Sequence, residues 1–276
     1  MQIDHSVIQT SVRLALEEDV GSGDVTANLI EENASSMAKV ITREAGILCG
    51  QHWFNETFKQ LDPSIYIDWL VKEGTTVHAS QLLCTLSGQT RALLTAERTA
   101  LNFLQTLSGT ATTTKKYVDK LAGTNVQILD TRKTIPGLRL AQKYAVHCGG
   151  GKNHRIGLFD MILIKENHIA SCGSIKNALE KAKAVDANIE IEIEVRNLDE
   201  LQQALSAGAL RILLDNFSID DLKKAVTYNQ QQAKLEVSGN ITLNNIRDYA
   251  LTGIDYISSG SITKHVHALD LSMQFI

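Results

Sequence analysis

The spacing of apolar residues divides the chain into two regions with different predicted secondary structure. Within residues 37–89, short stretches alternate apolar and polar positions, which is the period of strands exposed on one face. Turn residues separate these stretches, and a helix is predicted over 52–61. The first region is therefore expected to form an antiparallel or mixed sheet. The predicted strands cover residues 38–42, 65–69 and 82–86.

Two further helices are predicted in this region from apolar residues at helical spacing. Residues 1–21 form an amphipathic segment with Ile8, Val12 and Leu16 on one face. A longer helix begins near Arg91, and the pair Ser108-Gly109 is predicted to end it.

The second region, from residue 125 onward, repeats a strand followed by a helix. This alternation predicts a parallel sheet with right-handed crossovers. The six apolar runs lie at residues 126–129, 161–164, 189–193, 212–214, 235–237 and 256–257. An eight-stranded barrel needs two more strands, so the barrel is either incomplete or takes a strand from elsewhere.

Polar or glycine residues follow every one of these runs. A doubly wound sheet concentrates its functional residues at one switch point, whereas a barrel distributes them around a ring of strand ends. The ring favours a barrel with its active site at the carboxyl ends of the strands. The residues concerned are Asp130 with Arg132 and Lys133, Lys165, Glu194, Asp215, Ser238-Gly239 and Ser259-Gly260.

Composition narrows the class of function. The 276 residues carry a formal net charge of −4, whereas proteins that bind nucleic acid usually have a basic excess. No segment has the roughly 18 consecutive apolar residues needed to cross a bilayer. The N-terminus lacks the basic and apolar pattern of a secretion signal, and the four cysteines are scattered. These features favour a cytoplasmic location without structural disulfides.

The basic residues after the first strands predict a site for anions. Arg132 and Lys133 are adjacent, and the planar guanidinium suits a carboxylate whereas the lysine suits a phosphate oxygen. Further along, Gly149-Gly150-Gly151 permits close approach of the backbone to an anion, with His154 and Arg155 placed to hold a carboxylate. Lys165 is either an anion clamp or a Schiff-base nucleophile.

The later strands add acidic residues and phosphate-binding turns. Glu194 and Asp215 end consecutive strands, and their oxygen ligands suit Mg²⁺ or ribose hydroxyls; a structural salt-bridge network is the alternative. The last two strands end in turns that present N–H groups and a helix N-terminus to phosphate. These turns are Ser238-Gly239-Asn240 and Ser258-Ser259-Gly260-Ser261.

Other patterns lead to different hypotheses. A Schiff-base aldolase would depend on Lys165 or Lys133, and a carrier module would depend on the lipoyl-like segment 71–82, which has no lysine at the attachment position. A zinc site built from His147, Cys148 and His154 lacks the usual ligand spacing. Arg98 lies opposite the apolar stripe of its helix, which is typical of a solvated face.

Taken together, several segments resemble the quinolinate phosphoribosyltransferase family over nearly the whole chain. The segments are 18–26, 97–102, 130–134, 149–155, 165–168 and 214–217. The resemblance implies a small α/β sandwich over residues 1–110, followed by an incomplete parallel α/β barrel (TIM-like) over 111–276. The last residues could pack back on the first domain, and the family assembles as a dimer or a larger homo-oligomer. A transferase that acts on another acceptor is the nearest alternative.

The resemblance also implies a role for each site residue. Arg132, His154 and Arg155 would hold the two carboxylates of quinolinate, with Arg98 reaching in from the other subunit. Lys133 and Lys165 would clamp anions, and both would act in catalysis with Glu194 and Asp215. The two acidic residues would meet ribose and Mg²⁺, directly or through water or substrate. Phosphoribosyl diphosphate would bind the two turns, and Lys264 has a weaker match. The remaining substrate-binding residues are Thr131, Ser238, Gly239, Asn240, Ser259, Gly260 and Ser261.

Overall fold

The computed structural model describes residues 1, 3–186 and 188–276, which form an α/β structure. The strands are β1 (Ser35–Thr42), β2 (Gly46–Ile47), β3 (Tyr66–Trp69), β4 (Thr76–Val77), β5 (Leu82–Gln89), β6 (Gln127–Leu129), β7 (Ile162–Ile164), β8 (Ile191–Val195), β9 (Arg211–Asp215), β10 (Lys234–Ser238), β11 (Tyr256–Ser258) and β12 (Leu271–Phe275). The helices are α1 (His5–Val20), α2 (Gln51–Leu61), α3 (Thr90–Lys120), α4 (Arg139–Cys148), α5 (Glu166–Cys172), α6 (Ile175–Val185), α7 (Leu198–Ser206), α8 (Ile219–Asn229), α9 (Ile246–Ala250) and α10 (Ser261–Lys264). Across the described residues, no helix combines the length and the apolar character that a bilayer crossing requires.

The chain forms two compact units, each assembled from separate stretches. The first unit contains residues 1–115, 135–150 and 265–276. The second unit contains residues 116–134 and 151–264.

The first unit is built on an antiparallel sheet in the order β12-β1-β5-β3. The C-terminal strand β12 lies beside β1, with Val40 opposite Met273. Phe54 and Phe58 of α2 pack with apolar residues of β5 and α3 in its core. Helix α1 buries Ile8, the first residue of its predicted apolar face, in a second cluster around Trp53. The sequence pattern therefore predicted β1, β3, β5, α1 and α2 correctly, whereas β12 was not predicted.

Helix α3 is longer than the sequence pattern predicts. It continues through Ser108 and Gly109 to Lys120, so the predicted end near residue 107 is wrong. A side chain at position 109 would place its Cβ only 2.1 Å from the carbonyl oxygen of His267. Ser108 instead accepts a hydrogen bond from the backbone N–H of Cys49 and donates one to its carbonyl. Gly109 is therefore a close-packing position within the helix rather than a stop signal.

The second unit contains the parallel sheet, with strand order β6-β11-β10-β9-β8-β7. All five neighbouring pairs within this order are parallel. Strands β6 and β7 lie at opposite ends of the order and do not pair, so this is the incomplete barrel that the six apolar runs predict. Helix α9 is shorter than predicted and begins at Ile246, so the turn after β10 does not open directly into a helix.

A buried ionic network joins three strands of the second unit. The side chains of Glu192 and Glu236 are both completely buried. Arg211 donates to both of them, from Nε to Glu192 Oε1 at 3.1 Å and from Nη2 to Glu236 Oε2 at 2.7 Å. Its guanidinium carbon also lies 5.0 Å from the ring centroid of Tyr256. Because a lone buried charge is costly, the two carboxylates and the arginine depend on one another.

The pKa values of both glutamates in this network are raised. Burial and the nearby charge of Glu192 together raise the pKa of Glu236 to about 7. Burial also raises the pKa of Glu192, with Arg211 opposing the shift. The folded protein therefore holds a proton on Glu236 in a pH range where the unfolded chain has released it. Stability contributed by this group falls as the pH rises from about 4.5 to about 7.

We expect Glu236→Gln to reduce this loss, because glutamine keeps the shape of the protonated acid and cannot ionise. The free energy of unfolding of the variant minus that of the wild type should be larger at pH 8 than at pH 5, by on the order of 2–3 kcal/mol. Urea unfolding midpoints at the two pH values measure the change. Glu190→Gln removes an exposed partner of Arg211 and serves as the control. An equal difference between Glu236→Gln and the wild type at both pH values would contradict the account.

Gly109→Ala tests the close packing in α3. Alanine is the better helix former by about 1 kcal/mol, so propensity alone predicts a more stable protein. The contact with the His267 carbonyl predicts the opposite, with a loss of roughly 1–3 kcal/mol from overpacking. Thermal unfolding of the variant decides between these signs.

Candidate active site

A cavity of about 980 Å³ lies in the second unit at the carboxyl ends of its parallel strands. It brings together the residues that the sequence predicts as a site, with one exception, Arg98. Those lining it are Thr131, Arg132, Lys133, His154, Arg155, Lys165, Glu194, Asp215, Ser238, Gly239, Asn240, Ser259, Gly260 and Ser261.

Seven other residues line the cavity, and five of them were not singled out in the sequence. Leu163 and Leu213 belong to β7 and β9. Which face of the strand each side chain occupies follows from the alternation along a strand, once the strand register is known. Asn216 directly follows the predicted residue Asp215 in the sequence, which was an available signal. The remaining two missed residues are Ile241 and Thr242. Ser258 belongs to a predicted phosphate-binding turn, and Lys264 is the residue with the weaker match; both line the cavity.

Basic residues outnumber acidic residues among the described side chains that line this cavity. Five are basic, against the carboxylates of Glu194 and Asp215; the basic residues are Arg132, Lys133, Arg155, Lys165 and Lys264. Burial lowers the pKa of the Arg155 guanidinium, and the charge of nearby Arg132 lowers it further. Like charges held together in this way are stabilised when an anion binds between them. The cavity is therefore suited to anionic ligands.

Buried Asp130 fixes the backbone that carries two of the predicted residues. Its carboxylate accepts from Asn153 Nδ2 at 2.6 Å and from the backbone N–H of His154 at 2.9 Å. Lys152 also pairs with Leu129 in a parallel bridge beside β6. These contacts hold the segment from Lys152 to Arg155 against the strand end.

Both ring nitrogens of His154 have polar partners. Its Nδ1 accepts from the backbone N–H of Arg155 at 2.7 Å, which leaves Nε2 as the protonated nitrogen. Nε2 lies 2.8 Å from Glu192 Oε2 and 3.5 Å from Glu236 Oε1. His154 thus links the cavity wall to the buried ionic network. Direct contact with a substrate carboxylate stays a prediction.

The residues of the segment 165–168, which follows β7, have different roles in the structure. Lys165 is half-exposed, and its Nζ lies 3.4 Å from Glu194 Oε2. His168 accepts from the backbone N–H of Lys165 at 3.0 Å and so caps α5. Glu166 pairs with Arg196 outside the cavity lining. Of this motif, Lys165 alone lines the cavity.

Two neighbouring residues orient Asp215 at the end of β9. Its Oδ1 accepts from Ser238 Oγ and its Oδ2 from Asn216 Nδ2, each at 2.9 Å. Gly239 has a φ of +106°, and a Cβ there would lie 2.0 Å from Asn216 Oδ1. The glycine is therefore required by the close approach of Asn216 as well as by its backbone conformation.

The turn after β11 packs against the first basic cluster. A Cβ at Gly260 would lie 2.8 Å from Lys133 Cδ, and Thr263 Oγ1 donates to the Lys133 carbonyl at 2.7 Å. The backbone N–H of Ser261 also donates to Ser259 Oγ at 3.3 Å. These contacts place the serine-rich turn and Lys133 on the same part of the cavity wall.

Some residues singled out by sequence lie elsewhere. Arg98 is exposed on α3 and is not among the residues that line the cavity. The run Gly149-Gly150-Gly151 does not line it either, and a Cβ at Gly149 would lie 2.4 Å from the carbonyl oxygen of Ala111. Cys148 and His154 belong to separate clusters among the described residues, so the structure does not group them as a zinc site.

Comparison with known proteins gives matches over nearly the full length. The chain is 41% identical over 257 residues to the "Probable nicotinate-nucleotide pyrophosphorylase [carboxylating]" of Bacillus subtilis (strain 168), covering 93% of this chain and 89% of that protein. It is 39% identical to the tobacco (Nicotiana tabacum) "Quinolinate phosphoribosyltransferase [decarboxylating] 2b, mitochondrial", covering 95% and 80% of the two chains.

Comparison with a solved structure and with family models gives the same assignment. The nicotinate-nucleotide pyrophosphorylase from Francisella tularensis superposes with a TM-score of 0.97 at 52% identity, covering 100% of this chain and 98% of that one. The family models described as the N-terminal and C-terminal domains of quinolinate phosphoribosyl transferase match residues 24–108 and 110–274. The chain therefore belongs to the quinolinate phosphoribosyltransferase family.

Proposed function

We propose that this protein transfers the phosphoribosyl group of phosphoribosyl diphosphate to quinolinate with loss of CO₂. The products are nicotinate mononucleotide and diphosphate, in the de novo biosynthesis of NAD. The supporting observation is a cavity at the strand ends where basic side chains from separate strands surround Glu194 and Asp215. Relatives of this chain carry the names of a carboxylating pyrophosphorylase and a decarboxylating transferase, and these names describe one reaction in its two directions.

The acceptor end of the cavity is assigned to Arg132 and Arg155. Quinolinate carries two adjacent carboxylates, and a guanidinium binds a carboxylate through two parallel hydrogen bonds. The repulsion between the two arginines is relieved when both carboxylates bind. His154 holds the backbone N–H of Arg155 and so supports the position of this pair.

The phosphate groups are assigned to the turns after β10 and β11. Ser238, Gly239 and Asn240 form one turn, and residues 259–261 form the other. Hydroxyls and backbone N–H groups of such turns bind phosphate oxygens without bringing additional charge. Thr131 also lines the cavity, and Lys133 and Lys165 supply the positive charge that diphosphate requires.

The acidic pair fits Mg²⁺ by the chemistry of its donors. Glu194 and Asp215 provide oxygen ligands alone, and each contributes from the end of a neighbouring strand. Two carboxylates leave most of an octahedral shell to water and substrate oxygens, which is how Mg²⁺ is usually bound beside phosphates. When bound, the ion would neutralise charge on the diphosphate.

The reaction then proceeds without covalent attachment to the protein. The bond from ribose C1 to the diphosphate oxygen breaks, and the pyridine nitrogen forms the new bond to C1. Glu194 and Asp215 stabilise the positive charge that develops on the ribosyl group. The new pyridinium charge stabilises the electron pair left on the adjacent ring carbon when its carboxylate departs as CO₂, and that pair then takes a proton from water.

The proposal extends to assembly and location. The protein acts as a homodimer or a larger homo-oligomer in which Arg98, exposed on α3, reaches the quinolinate site of the partner subunit. It works in the cytoplasm, in keeping with thiols that are all free in the described structure.

The activity itself is tested by incubating purified protein with quinolinate, phosphoribosyl diphosphate and Mg²⁺. We expect stoichiometric nicotinate mononucleotide and CO₂, because the cavity is suited to both ligands. Loss of one carboxylate–arginine pair should make nicotinate at least about tenfold poorer in kcat/KM than quinolinate. Efficient transfer to nicotinate, with none to quinolinate, would identify another acceptor.

Arg155→Ala tests the division of the cavity into two ends. We expect the KM for quinolinate to rise by about 10- to 100-fold, because a charge-assisted pair is lost, with only a small change for phosphoribosyl diphosphate. Steady-state kinetics with each substrate varied in turn measure this split. Arg13→Ala alters an exposed arginine of α1 and serves as the control. Equal loss for both substrates would contradict the assigned roles.

A further inference from the structure

A pair of cysteines lies together in the first unit, outside the cavity. Cys49 lies two residues before the first residue of α2, and Cys148 is the last residue of α4. Their sulfur atoms lie within 4.8 Å of each other and of a carboxylate oxygen of Glu73. Two thiols from distant parts of the sequence are therefore close neighbours in the fold.

The two thiols differ in exposure and in acidity. Cys49 is completely buried, and this burial raises its pKa well above the ordinary value, with Glu73 acting in the same direction. Cys148 is half-buried, and hydrogen bonding from the Cys49 thiol lowers its pKa. The Tyr144 hydroxyl also hydrogen-bonds Cys148 and lowers the pKa, whereas burial and Glu73 oppose the shift. Cys148 is thus the more acidic and more accessible thiol of the pair.

A metal ion is a weaker occupant for the same cluster. Both oxygens of Glu73 already accept backbone N–H groups, from Gly50 at 2.8 Å and from Gln51 at 3.1 Å. The carboxylate therefore satisfies the start of α2. Structural zinc sites have four protein ligands, and this group offers three among the described residues. These contacts favour chemistry between the two sulfurs.

We propose that Cys148 is a site of reversible oxidation by peroxides and that Cys49 is its resolving partner. The Cys148 thiolate attacks the peroxide O–O bond, forming a sulfenic acid and releasing hydroxide or alkoxide. The Cys49 thiol then displaces the hydroxyl group as water, forming the Cys49–Cys148 disulfide. Two thiols lose two electrons in total, and the peroxide is reduced. An accessible thiolate beside a resolving thiol is the arrangement on which such sensors depend.

The disulfide would join two segments of the first unit that are far apart in sequence. It would tie the start of α2 to the end of α4, and the cross-link would restrict the unfolded chain. Because the sulfur atoms lie within 4.8 Å of each other, they must approach further to reach the bond length of about 2.05 Å, which requires a small shift of the α4 end. Oxidation should therefore raise the thermal unfolding temperature while the bond is present.

The test is titration of the reduced protein with hydrogen peroxide near pH 7.5. We expect a mass loss of about 2 Da and loss of two of the four free thiols, both reversed by dithiothreitol. Peptide mapping should show the Cys49–Cys148 link, and the unfolding temperature should rise by several degrees. In Cys49→Ser, dimedone should trap the sulfenic acid at Cys148.

Cys172 is the matched control, since it is also half-buried and lies outside both clusters of possible metal ligands among the described residues. Cys172→Ser should oxidise as the wild type does, and Cys172 should react with dimedone and peroxide at least about tenfold more slowly than Cys148.

Tyr144→Phe keeps both cysteines and should slow oxidation of Cys148 several-fold, so the test does not depend on a cysteine variant that folds. Equal labelling of Cys148 and Cys172, or absence of the disulfide, would overturn the proposal. Stoichiometric Zn²⁺ binding by the reduced protein, lost in Cys148→Ser, would assign the cluster to a metal instead.

Discussion

The parallel direction of six neighbouring strands is the constraint on which the site depends. Because every carboxyl end lies at the same edge of the sheet, residues from distant parts of the sequence meet in one cavity. Several of these residues carry positive charge, and they repel one another before a ligand binds. Short contacts within the strand ends hold them in place, such as those of Asp130 and of the Asn216–Gly239 pair. The electrostatic field for an anionic substrate is therefore set before the substrate arrives.

The buried ionic network below this edge is a second consequence of the same sheet. Glu192 and Glu236 lie on strands on either side of β9, and Arg211 of β9 joins them. His154 extends the network to the cavity wall. The cavity thus has a polar support in which acidic and basic groups compensate one another.

The sequence predicted the parallel sheet well and the long-range packing poorly. The apolar runs of the six strands are local signals, and the polar residues that follow them identified most of the cavity. Gly109 was misread because a glycine near a helix end usually indicates a stop, and only the three-dimensional contact with His267 shows its role. Arg211 and Glu236 were missed for a similar reason, because their partners lie on other strands. The motif around Lys165 suggested several site residues, although its histidine serves to cap a helix.

Membership of the family decides between the hypotheses that the sequence left open. A Schiff-base aldolase and a lipoyl-like carrier module both disagree with a family match that spans residues 24–108 and 110–274. The division of roles among the cavity residues, the Mg²⁺ ion, the dimer and the domain boundary at residue 110 stay predictions.

The central claim is that Arg132 and Arg155 recognise the two carboxylates of the acceptor. The most direct measurement is a crystal structure of the protein with quinolinate and a non-reactive analogue of phosphoribosyl diphosphate. The account predicts the carboxylates against these two arginines, the pyridine nitrogen facing the ribose C1, and the phosphates on the turns after β10 and β11. Quinolinate bound with its carboxylates away from both arginines would contradict it.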